Sequence, residues 1–84
     1  MKEIKIGKVS KYFAHPEVAA IELEETVKVG DTIHIKGHTT DFEQEIQSMQ
    51  IQNESVKEAK SGDSIGVKVK ERVRPNDLVY KVIE

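Results

Sequence analysis

Lys68, Lys70, Arg72 and Arg74 recur at every second position. In an extended strand that spacing points all four side chains to one face, because successive residues alternate sides. Val67, Val69 and Val73 between them then turn the other way, into a core. Such a row of cations runs roughly 20 Å at strand rise. It can track several phosphates, and arginine forks suit bidentate contact with phosphate or carboxylate. The competing account is a solvated sheet face, partly neutralised by Glu22, Glu24 and Glu25 across the sheet. Binding through the row would weaken steeply as salt rises.

Tyr12 and Phe13, in the loop Tyr12-Phe13-Ala14-His15-Pro16, are a second candidate. Two adjacent aromatic rings cannot both enter a core from one strand, so one ring is left to face outward. An outward ring beside His and Pro can anchor a protein partner or stack on a base. The alternative is a ring folded down to plug the open end of a small barrel.

Metal and acid–base chemistry find less to work with. His34 and His38 are four apart, with Asp31 and Asp41 near them in sequence and His15 further away. On a helix an i, i+4 histidine pair can grip zinc. Here His34 falls in a strand pattern and Gly37 breaks regularity before His38, so no metal site is expected. Glu24 and Glu25 are adjacent and point to opposite faces of a strand. Glu43 and Glu45 share a face, but Gln47 and solvent beside them argue against a perturbed acid–base pair. No G-x-S-x-G elbow is present. The chain is expected not to be an enzyme.

The elements that position these residues begin with a repeated phrase. Lys28-Val29-Gly30-Asp31-Thr32-Ile33-His34-Ile35 returns as Lys60-Ser61-Gly62-Asp63-Ser64-Ile65-Gly66-Val67. Glycine supplies the positive φ of a tight turn, and aspartate can bond a backbone N–H two residues on. Apolar alternation follows each turn, the mark of a half-buried strand. Ile4 and Ile6 open a first strand, with Gly7 allowing a bend before Val9. Ala19, Ile21 and Leu23 give another. Residues 41–52 read two ways: Phe42, Ile46 and Met49 fit a helical face, whereas Met49 and Ile51 keep period two. Strand is preferred, with a bulge near Ser48. Ile65 to Val73 and Leu78 to Ile83 complete the set.

Six or seven strands and no helix, in 84 residues, favour a single all-β domain over residues 1–84. A small closed antiparallel β-barrel would remove exposed edges. There are no cysteines, which excludes a disulfide framework and a thiolate zinc site. No apolar run reaches the roughly 20 residues of a membrane span, and Met1-Lys2-Glu3-Ile4-Lys5 lacks a signal-peptide core. A cytoplasmic protein with no membrane partner is the expectation. A net charge of −2 argues against a general nucleic-acid coat protein.

Gly7-Lys8-Val9, Val29-Gly30-Asp31, Ile46-Gln47-Ser48-Met49-Gln50 and Ala59 to Val67 follow in order. In that order the chain resembles the second domain of the translational GTPases, the barrel of elongation factor Tu and of initiation factors. The description it suggests is a stand-alone translation elongation factor-like protein. Val73-Arg74-Pro75-Asn76-Asp77-Leu78-Val79-Tyr80 also resembles the C-terminal barrel of some collagenase-like peptidases. No GxxxxGK[ST] loop is present, so neither nucleotide nor any other cofactor is expected. The first resemblance implies a non-catalytic module that contacts tRNA or ribosomal RNA through Lys68, Lys70, Arg72 and Arg74. The second implies a protein-interaction adaptor that docks a larger partner, with Tyr12 and Phe13 as its contact.

Overall fold

A computed structural model of the chain describes residues 2–83. Ten strands follow one another with no helix among those residues: β1 (Lys2–Phe13), β2 (Val18–Leu23), β3 (Val27–Lys28), β4 (Thr32–Lys36), β5 (Asp41–Glu45), β6 (Met49–Ile51), β7 (Glu54–Val56), β8 (Glu58–Ala59), β9 (Ser64–Lys68) and β10 (Leu78–Ile83). Eight form one antiparallel sheet in the order β5-β4-β10-β1-β2-β9-β6-β7, and β3 pairs with β8 in a separate ribbon. Residues 41–51 are strand on both sides of a break at 46–48.

The repeated phrase sets this frame. Gly30 and Gly62 both adopt positive φ, 100° and 94°, a conformation that costs a side-chain-bearing residue and not glycine. The aspartate bonds differ from the expectation in direction. Asp31 Oδ2 accepts the N–H of Lys28 at 3.0 Å and Asp63 Oδ2 that of Lys60 at 2.8 Å, so each reaches three residues back instead of two forward. The two lead-ins, β3 and β8, pair with each other through Val27↔Ala59 and Lys28↔Glu58.

Alternation then fills the interior. Ile33 and Ile35 on β4, Ile65 and Val67 on β9, and Ala19, Ile21 and Leu23 on β2 are all buried. Ile6, Val9, Phe42, Ile46, Met49, Val69, Val73 and Val79 join them in one core. Strand β1 serves both halves of the sheet, pairing with β10 and β2, and its register shifts between Lys5 and Gly7 and again between Val9 and Lys11. Gly7 packs closely against β2: a Cβ there would collide with the Glu22 carbonyl oxygen.

The expectation of a closed barrel of six or seven strands is corrected. The sheet ends at β5 and β7, and β5 shares no ladder with β9. The reason lies after Lys68, where the chain leaves strand geometry and bends at Lys70 and Glu71. Gln44 spans that seam with its side chain. Its Nε2 donates to the Lys68 carbonyl at 2.8 Å and its Oε1 accepts the Lys70 N–H at 2.9 Å. One amide thus supplies both partners of a missing ladder step.

Candidate functional site

The basic row does not survive the bend. Lys68, Lys70, Arg72 and Arg74 are all exposed, but so is Glu71 between them, and only Lys68 lies in a strand. Without continuous extension, alternation no longer assigns the four to a common face. The cations go separate ways: Lys70 Nζ lies 6.0 Å from the Phe42 ring centre, and the Arg72 guanidinium 5.9 Å from that of Tyr12. Arg74 Nε donates to Thr39 Oγ1 at 3.1 Å. Of the acidic residues expected to neutralise the row, Glu24 pairs instead with Lys5 at 3.4 Å.

Tyr12 and Phe13 divide as adjacent strand residues must. They end β1 rather than starting a loop, paired with Ala19 and Val18. Tyr12 packs against the core, while Phe13 stands 47% exposed at the start of the turn to β2. The turn is closed by the Glu17 N–H donating to the Phe13 carbonyl at 2.8 Å, and its His15–Pro16 peptide is cis. Phe13 forms a ridge between two grooves of about 320 Å³ each. One is lined by Pro16, Val18, Ile65 and Gly66, together with Gln50 and Asn53. The other is edged by Lys11, Arg72, Arg74 and Pro75. Ile4 and Val29 are also exposed large apolar residues, but neither lines these grooves.

A third arrangement joins His34 and Asp41, which the sequence had set near one another, to Glu3, which it had not. His34 on β4 presents Nδ1 to Glu3 Oε2 at 2.6 Å and Nε2 to Asp41 Oδ1 at 2.5 Å. Glu43 lies opposite His34 in the β4–β5 ladder. The bond to Asp41, aided by Glu3, holds the imidazolium above the ordinary histidine range against partial burial, which pulls the other way. His34 in turn holds the Asp41 carboxyl below its ordinary range. His38 is exposed beyond β4 and takes no part. Glu3 is 31 residues from His34, and no local motif announces it.

No protein-family model matches the chain. Among curated sequences it is 43% identical over 84 residues, 99% of its length, to an uncharacterised protease of Methanocaldococcus jannaschii. It is 37% identical over 82 residues, 95% of its length, to a collagenase of Porphyromonas gingivalis. It spans only 21% and 20% of those two proteins. Among solved structures, the C-terminal domain of a Geobacillus thermoleovorans protein described as a U32 peptidase superposes with a TM-score of 0.88 at 20% identity. That match covers 94% of this chain and 92% of the other, and it shows a shared fold.

These likenesses run to peptidases, not to translation factors. The elongation-factor resemblance, and the RNA-binding role it implied, are therefore overturned. The misleading signal was the Gly-Asp phrase, whose residues are dictated by turn geometry and so recur wherever that turn is needed. No helix among the described residues is long and apolar enough to cross a membrane.

Proposed function

We propose that this chain is a non-catalytic accessory domain of a collagenase-like peptidase, docking the catalytic portion through the Phe13 ridge. The observation that carries the reading is 43% identity along 99% of this chain to about a fifth of a protease. A unit matched almost end to end, within a relative about five times its length, reads as a module beside a catalytic body.

The ridge has the chemistry of an anchor. A half-exposed aromatic ring between two grooves can seat in a partner's pocket at little entropic cost, and aromatic and arginine residues dominate interface energetics. Lys11, Arg72 and Arg74 edge one groove, so the complementary face is an apolar pocket with acidic residues on that side.

The test is a chimera in which this chain replaces the matching stretch of the Porphyromonas gingivalis collagenase. Collagen hydrolysis should persist with the unaltered chain and fall when Phe13→Glu is introduced, with no change in the fold of the isolated domain. Equal activity in both chimeras would remove the ridge from the account.

A further inference from the structure

We propose that Glu3, His34 and Glu43 form a site for a divalent transition metal ion of the zinc type. The three side chains come from β1, β4 and β5, and one ligand atom from each lies within 4.8 Å of the other two. Zinc holds histidine nitrogen and carboxylate oxygen at about 2.0–2.2 Å in tetrahedral array, which places neighbouring ligands roughly 3.4 Å apart. Closing the remaining distance asks for at most about 1.4 Å of movement, which unbranched glutamate side chains make by small torsions. Glu3 and Glu43 are both exposed, so no core packing opposes it. His34 need not move, since β4 is paired on both sides, by β10 and β5.

The ring is already oriented for this task. Nδ1 is the atom that faces Glu3, while Nε2 is held by Asp41. Metal-bound histidines characteristically give their second ring N–H to a carboxylate, which fixes tautomer and plane and raises ligand basicity. Asp41 is thereby a positioning residue. The ion takes the place of the hydrogen between Nδ1 and Glu3, so binding releases a proton from the ring or the carboxyl.

Charge and donor type select the ion. Two carboxylates and a neutral imidazole leave a dication neutralised, and Lys36, paired with Asp41 across the ladder, offsets the third acid. One nitrogen with two oxygens suits zinc and its neighbours, whereas magnesium and calcium prefer all-oxygen shells and would not displace a histidine proton. Three protein ligands leave the fourth position to water.

Zinc chloride titrated calorimetrically into the whole chain tests the site. The expected result is one zinc per chain and no heat with magnesium. His34→Gln should abolish binding, Glu43→Gln should weaken it at least tenfold, and Asp41→Asn should weaken it about tenfold. Asp41→Asn should also shift the His34 ring nitrogen signals in the metal-free protein, as expected where the carboxylate sets the tautomer. A His15→Gln, His38→Gln double variant should bind as the parent does. Because Glu43 is exposed, its variant keeps the test valid if His34→Gln folds poorly. The proposal is overturned by no uptake at millimolar zinc, by binding that survives Glu43→Gln unchanged, or by binding lost with His15 and His38.

Discussion

Asp77 Oδ2 accepts the backbone N–H of Arg74 at 2.9 Å, the bond that Asp31 makes to Lys28 and Asp63 to Lys60. The Asp77 N–H donates back to the Arg74 carbonyl at 3.1 Å, as Asp31 and Asp63 do to Lys28 and Lys60. The chain therefore contains three copies of one turn. In the third, Asn76 takes the glycine position with φ 75°.

Asp77 is only 5% exposed, so its loss leaves the Arg74 N–H unpartnered in a poorly solvated place. Asp77→Ala should cost about 2–3 kcal/mol, and Asp63→Ala, in a more open turn, about 1 kcal/mol. Asn76→Gly should gain up to about 1 kcal/mol by removing a left-handed asparagine. Urea denaturation of the three variants checks the order; equal losses at Asp63 and Asp77 would contradict it.

Gln44 replaces a strand pairing, and its worth is measurable. Gln44→Leu should cost about 2 kcal/mol, near the usual 1 kcal/mol for each of two hydrogen bonds. Gln44→Glu should be intermediate at neutral pH, because a carboxylate can accept from Lys70 but cannot donate to Lys68. Amide exchange at Lys70 should accelerate in both variants; unchanged exchange would show that the seam is held by something else.

The His34 clamp makes stability depend on pH in the metal-free chain, measured with a chelator present. The histidine is raised in the folded state, so its contribution is full below the ordinary value of 6.5 and is lost as pH climbs through the raised value. Asp41 is lowered, so its contribution is present above the ordinary value of 3.8 and is lost as pH falls through the lowered one. The clamp contributes most between those two values. Between pH 6 and 9 the urea midpoint of the parent should fall further than that of His34→Gln. Parallel curves would mean that the clamp contributes nothing.

The legible parts of this fold were those whose cause is local. A Gly-Asp turn announces itself because two adjacent residues carry both the φ and the hydrogen bond, and period-two alternation marked β2, β4 and β9. The third turn was equally open to reading, since Arg74-Pro75-Asn76-Asp77 keeps a cation, a residue tolerant of positive φ and an aspartate. The basic row failed at Glu71. A strand through Val69 and Val73 would need residue 71 to face inward, and a charged residue there signalled the bend. The seam and the His34 cluster were beyond local reading. Gln44 meets partners 24 and 26 residues away, and Glu3 reaches His34 across β10, so both depend on sheet order.

Phe13 separates docking from folding. At 47% exposure its truncation should change stability by less than about 0.5 kcal/mol. Ile21→Ala, at a fully buried position, should cost about 2–5 kcal/mol. The most direct measurement is a calorimetric titration of this chain into the Methanocaldococcus jannaschii protease with its matching stretch deleted. Docking through the ridge requires a one-to-one complex that Phe13→Ala weakens about thirtyfold or more, the scale of an interface hot spot. No complex, or one that Phe13→Ala leaves unchanged, would contradict it.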